Sequence, residues 1–454
     1  MKRYVSLILC CMLVICGVFA SGCQSAPPAE NSSQEMTSQE NSSGTPLRLC
    51  ADLEFGGLYN IRKSQAALEN FLRNVKWQGG PADVEVEFLP PDGTERQTEL
   101  NRIRVELMAG SGPDLFLTNC LRSDQYFIEE QALFQFPEQA MGRGLFLKLD
   151  DYIENAQFME WDKLTPAVMD AGKTEKGQFL LPLAFSFPVS IFLASDVKPY
   201  PADTTWADAA KGTDSVLGTS MEPILEPMAF DPPFTIFDGP DYLSYTWKEL
   251  ADYNRDKLLI SEVELLQRAK EAVSLEENSQ TSLPHFRGVI DRYIFERSLD
   301  SFEPMREARM GIAAADELTM IPLYCDQGGA VVPIRAFAGI NAATERPEDA
   351  FFVLDLLLSE ETQKDYGLYE GWTFCGMPVH GEIAINMPET VWAAYEEARS
   401  HIVSARFPTP LDSAIVSIVD EYDMLKHDGG GTDEDLSELV SKAYGKMKQT
   451  LEES

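Results

Sequence analysis

The sequence predicts an α/β body of two lobes behind a cleavable leader, and three observations predict it. Strand-like and helix-like segments alternate from residue 47 onward. About 430 residues follow the leader, more than one hydrophobic core usually organises. The apolar run that opens the chain is short and ends in small residues, which sets it apart from the body.

The chain begins Met1-Lys2-Arg3 and continues through a nearly uninterrupted apolar stretch, Val5 to Ala20, into Ala20-Ser21-Gly22-Cys23. A membrane-spanning helix needs about 20 apolar residues to cross roughly 30 Å of hydrocarbon, and this run falls short of that. It has the charged, apolar and small-residue regions of a secretory signal. A cysteine directly after three small residues resembles the lipobox of bacterial lipoproteins, which implies that residues 1–22 are removed and that Cys23 is acylated as the new N-terminus. From Gln24 to Thr45 the chain is rich in Ser, Glu, Gln, Asn, Pro and Gly, with almost nothing apolar. Such a stretch cannot bury enough surface to offset its ordering entropy, so residues 23–45 read as a tether.

The body opens with a β-rich run, Leu47 to Phe55, and the pair Gly56-Gly57. A helical pattern follows, with Ala67, Leu68, Phe71, Leu72 and Val75 on one face. A second β run, Val84 to Leu89, alternates Val84, Val86 and Phe88 with Glu85 and Glu87. Strand, helix, strand implies a right-handed crossover and a parallel sheet. A helix from about Glu95 to Met108 then stops at Ala109-Gly110-Ser111-Gly112-Pro113-Asp114, ahead of the strand Leu115 to Thr118. These glycines end a helix where a phosphate loop needs them to begin one, and no Gly-Lys-Ser/Thr follows.

The net charge is −36, and −38 once Lys2 and Arg3 leave with the leader. A surface that acidic repels nucleic acid and anionic headgroups. Beyond the leader and Cys23, the cysteines are Cys50, Cys120, Cys325 and Cys375, none in a metal spacing. They allow three pairings, and an extracytoplasmic chain could form one disulfide. Each also lies in or beside an apolar segment, where a free buried thiol is equally natural.

The stretch Glu106-Leu-Met-Ala-Gly-Ser-Gly-Pro-Asp-Leu-Phe-Leu-Thr118 resembles the helix-turn-strand signature of extracellular solute-binding proteins of the maltose-binding type. Gly177 to Ala184, running on to Ile191-Phe-Leu-Ala194, is similar to that family's first crossover between lobes. Gly329 to Thr344 resembles the return crossover, and Pro347 to Gly367 the helix that follows it. Gly376-Met-Pro378-Val resembles the passage back to the second lobe. The resemblance runs from residue 47 to the C-terminus, except that residues 200–304 match no pattern we can place.

The resemblance implies a two-lobed periplasmic-binding-protein-like fold, each lobe a mainly parallel sheet flanked by helices and joined by crossover strands. The expected lobes are 46–186 with 336–375, and 187–335 with 376–454. It also implies a monomeric, lipid-anchored receptor outside the cytoplasm that closes on a small solute, a sugar for preference, and passes it to the permease of an ABC importer. No metal or organic cofactor is implied.

Ligands of open α/β sheets bind outside the carboxyl ends of parallel strands. Those ends here are Leu53 to Gly57, Thr118-Asn119-Cys120 and Phe185-Ser186-Phe187. A sugar needs flat aromatic faces plus amides or carboxylates for its hydroxyls. Phe55, Tyr59, Phe185, Phe187 and Trp372 are the candidate faces; Glu54, Asn119 and Asp326 are the candidate polar contacts. Phe55, Phe187 and Trp372 read equally well as packing residues.

An enzyme is the rival class. Acid pairs such as Asp150-Asp151 and Glu360-Glu361 fall at helix starts, where acids belong anyway. The four histidines show no H-x-x-x-H spacing and no G-x-S-x-G occurs. The segment Asp428 to Asp435 lacks the alternating ligands of a calcium loop and reads as a turn with Thr432 capping the last helix. A sensor for a membrane kinase, or a receptor for a peptide or polyamine, would keep the same fold.

Overall fold

The structure is a computed structural model. It describes residues 45–53, 58–91, 93–120, 132–193, 239–277, 286–290, 318–322, 324–364, 366–369, 374, 376–385, 389–427 and 429–453. Cys23 therefore lies outside the described residues, as do the leader and nearly all of the tether. Pro46–Ser454 forms one compact unit.

The opening follows the periodicity closely. Strand β1 (Leu47–Asp52) leads into helix α1 (Leu58–Trp77), β2 (Val84–Phe88), α2 (Gly93–Met108) and β3 (Leu115–Asn119). Both β2 and β3 pair parallel with β1. The predicted face of α1 is the buried one, with Leu68, Phe71 and Val75 in the core and Ala67 and Leu72 packed against it. Helix α2 stops where the glycines predict: Gly110 and Gly112 have φ of 71° and 108°, and the Ser111 amide donates to the Glu106 carbonyl at 2.9 Å. A buried bidentate pair fixes α2 to β1, Arg96 donating to both Asp52 oxygens at 2.9 Å.

Three short helices, α3 (Pro137–Gly142), α4 (Asp150–Ile153) and α5 (Pro166–Met169), and the small ribbon β4 (Lys173–Thr174) with β5 (Gly177–Gln178) come next. Strands β6 (Leu180–Phe185) and β7 (Phe187–Leu193) are separated by Ser186 alone, yet belong to different sheets. A 3-10 segment (Gly239–Thr246), the ribbon β8 (Ala251–Asp252) with β9 (Lys257–Leu258), and α6 (Glu262–Glu277) precede β10 (Phe286–Ile290) and β11 (Leu318–Pro322).

The long strand β12 (Ala330–Ile340) is buried along its whole length. After it come α7 (Pro347–Leu357), α8 (Glu360–Lys364), α9 (Tyr366–Tyr369), β13 (Met377–Pro378), α10 (Glu389–Ser400), β14 (Ile402–Arg406), α11 (Pro410–His427) and α12 (Asp433–Glu453). The single helix expected over 347–367 is thus interrupted after Leu357. Ser359 breaks it, its hydroxyl donating to the Leu356 carbonyl and accepting from the Thr362 amide.

The main sheet runs β13-β6-β12-β3-β1-β2, with β14 parallel to the first half of β12. Strand β12 is antiparallel to both neighbours, β3 and β6. A second sheet, β10-β7-β11, is antiparallel throughout. The expectation of two mainly parallel sheets is corrected here. Among the described residues helical connections link the parallel strands β1, β2 and β3 and the parallel pair β12 and β14, whereas β12 and β6 run against their other neighbours. The larger core fills the space around the main sheet. A smaller one gathers α6, α11 and α12 around Leu265, Ile415, Val419, Val440 and Met447.

Candidate functional site

Strand β12 brings three strand ends together. Strand β3 runs antiparallel along it and finishes at Asn119, opposite Ala336; the next amide, that of Cys120, donates to the Arg335 carbonyl at 2.8 Å. On the same flank β14 runs parallel and finishes at Arg406, opposite Pro333. On the other flank β6 finishes at Phe185, opposite Ile334, and the Ser186 amide donates to the Pro333 carbonyl at 3.0 Å. Three carboxyl ends therefore converge on residues 333–336, where the chain passes from one sheet to the other. The end of β1 joins them through the Asn119 amide, which donates to the Leu53 carbonyl at 2.9 Å. Gly376 is needed beside this point, because a Cβ there would stand 2.8 Å from the Phe185 carbonyl oxygen and 2.9 Å from the Ala184 Cβ.

Around the junction lies a buried polar cluster. The Arg406 side chain is 6% exposed, its Nη2 donating to the Ser244 carbonyl at 2.9 Å and to Asp412 Oδ1 at 3.1 Å, and its guanidinium lying 5.1 Å from the centre of the Tyr245 ring. Its Nε and Nη1 make no hydrogen bond among the described residues. Asp412 is fully engaged: its other oxygen accepts from the amide of Thr409 at 2.8 Å and the hydroxyl at 3.0 Å. Those bonds form because Thr409-Pro-Leu-Asp412 is a capping box with proline in the first turn of α11.

Glu138, near the start of α3, faces the same cluster, and its Oε2 is shut from solvent without a donor among the described residues. Burial pushes its carboxyl up to about 7, against the lowering by its own backbone and by Arg406. Tyr253 hydrogen-bonds to Thr409, and burial holds its hydroxyl well above the usual range. Arg335 and Glu138 both act electrostatically on Cys120, which places them at the end of β3.

The residues expected from the sequence divide. Asn119 stands at the junction, as the strand-end rule requires. Glu54, Phe55 and Trp372 lie outside the described residues, and Tyr59 falls in the first turn of α1 with its side chain outside them. Phe185 and Phe187 are fully buried, Phe187 edge-on to Tyr395 at 6.1 Å, so in this conformation they are core and not platforms. Strand β6 is buried on both faces, as are residues 187–189 at the start of β7, which alternation along one strand cannot reveal. Asp326 is absent from the group: it sits in the turn before β12 with its carboxylate on Arg268 of α6. Sequence reasoning missed Glu138, Arg335, Arg406 and Asp412. The capping box at Thr409 was legible, but nothing local tied it to a strand end 290 residues earlier.

Of the cysteines, Cys50, Cys120 and Cys325 are free and buried; Cys375 lies outside the described residues. Burial pushes all three thiols up, which makes them poor nucleophiles. Ligand atoms of Glu160, Glu360 and His380 lie within 4.8 Å of one another. Lys163 and Lys364 already neutralise the two carboxylates, and His380 Nδ1 accepts from the Glu382 amide at 3.3 Å, so the geometry is that of an ion-pair network. No described helix is long and apolar enough to cross a membrane.

No family model matches the chain, and no curated protein matches it significantly. Solved structures do. An extracellular solute-binding protein of family 1 from Alicyclobacillus acidocaldarius is 14% identical with a TM-score of 0.54, covering 89% of this chain and all of that one. A periplasmic oligogalacturonide-binding protein from Yersinia enterocolitica gives 14% and 0.54, covering 90% of this chain and all of its own. A de novo designed cysteine esterase gives 13% and 0.53, covering 89% and 98%. At such identities the likeness is one of fold, and the body has the two-lobed α/β fold of the solute-binding proteins.

Proposed function

We propose that this chain is an extracytoplasmic solute receptor that holds a carbohydrate between two lobes and delivers it to an ABC-type permease, tethered to the membrane through acylated Cys23. The observation that carries this reading is the junction on β12. Hydrogen-bonding groups with open capacity gather where three strand ends meet and the chain changes sheets, the position at which α/β folds bind ligands. The fold supports it, since the structures it matches along nearly the whole chain include an extracellular solute-binding protein and a periplasmic oligogalacturonide-binding protein. The leader and Cys23 support the compartment and the anchor.

In this reading the lobes are 46–186 with 336–375, and 187–335 with 376–454, and the hinge passes through Ser186 and residues 333–336. Closure buries the ligand, and a permease distinguishes the closed form; the ligand shifts the population by its differential affinity for that form. No catalytic group is required, and the proposal is of a monomer without cofactor.

The test is a thermal-shift screen of the chain lacking residues 1–22 against saccharides, polyamines and short peptides. A ligand at 100 times its Kd adds about 2.7 kcal/mol, several degrees in Tm. A shift with saccharides alone is the expected result. A shift with polyamines or peptides but with no saccharide overturns the carbohydrate assignment.

A further inference from the structure

The junction holds a buried cation with open donors. Asp412 has both oxygens engaged, one by Arg406 and the other by Thr409. Arg406 is more than nine-tenths buried, yet Nε and Nη1 have no partner among the described residues. A buried guanidinium N–H left unmade costs more than its bond is worth to a neutral partner, and a carboxylate satisfies it best, since its two oxygens accept and never donate. The Ser244 hydroxyl, one residue from the ring that Arg406 covers, is also without a partner among the described residues. We propose that the ligand is an acidic saccharide whose carboxylate is received by Arg406, with Glu138 beside it. This deepens the carbohydrate reading above and rests on it.

Glu138 adds a pH dependence to the same geometry. The groups facing it are Arg406 of β14, Asp412 of α11, Tyr253 of the β8–β9 turn and Cys120 and Arg335 of the β3–β12 edge. Held near 7 by burial, it donates to the ligand when protonated and repels a carboxylate when ionised.

The experiment is calorimetric titration of the chain lacking residues 1–22 with galacturonate- and glucuronate-bearing disaccharides and with neutral disaccharides of the same linkages, at pH 6 and pH 8. The acidic members are expected to bind at least about tenfold more tightly than the neutral ones, and about tenfold more tightly at pH 6 than at pH 8. Arg406→Gln, with folding checked by circular dichroism, should abolish the preference for acid, and Glu138→Gln should flatten the pH dependence. Equal or tighter binding of the neutral sugars overturns the proposal and leaves the sugar receptor standing. Binding of acidic sugars that Arg406→Gln does not weaken overturns it too. Failure of every saccharide, acidic and neutral, overturns the carbohydrate reading with it.

Discussion

Glu138 shows what burial does to one carboxyl. Its ordinary value is near 4.5 and its folded value about 7, so the folded state holds the proton more tightly than the unfolded one. Stability from this group is fully present below about pH 4.5 and is lost as pH rises through 7, by up to about 3 kcal/mol. Glu138→Gln carries no such proton, and urea midpoints of variant and parent should diverge as pH rises from 5 to 8, with the variant more stable at 8. Parallel curves would place Glu138 in water. Asp355 is the contrasting buried acid, accepting from the amides of Gln157, Phe158 and Met159 at 2.7–3.0 Å, and these three bonds hold that turn.

At the scale of elements, local chemistry decided most boundaries. The last helix begins as its sequence requires: the amide and hydroxyl of Thr432 donate to Asp435 at 2.7 Å, and the Asp435 amide returns to the Thr432 hydroxyl at 3.2 Å. Thr432→Ala should fray that turn, and amide exchange over residues 433–436 should quicken about fivefold with α11 unchanged. Uniform quickening across α11 and α12 would show that the cap acts on their packing. Helices α1 and α2 and strands β1 to β3 were legible for the same reason, their periodicity and stop signals being properties of a dozen neighbouring residues. The helix over 347–367 was misjudged because Ser359 offers the backbone a competing hydrogen bond, which an apolar pattern does not register.

At the scale of the whole molecule, the proposed receptor function needs a hinge at the crossovers. Ser186 alone separates a strand of one sheet from a strand of the other, and β12 changes partners between Pro333 and Ala336. A body of this length has a compact radius of gyration of roughly 22 Å. Small-angle scattering of the chain lacking residues 1–22 should give a larger value without ligand and a fall toward the compact one with a saturating saccharide. An unchanged radius on binding would remove the hinge from the proposal.

What the sequence determined by itself is what depends on near neighbours: the strand-helix-strand opening, the capped helices and the strand ends near Leu53 and Asn119. The order of four dispersed motifs carried the fold. The tertiary structure alone decided which strand ends meet. Arg406 and Cys120, 286 positions apart, become neighbours because β14 and β3 approach β12 from opposite directions. The same packing moved Phe185 and Phe187 into the core and left Arg406 and Glu138 with hydrogen-bonding capacity to spare, since burial and pairing arise from contacts between distant segments that no local pattern encodes.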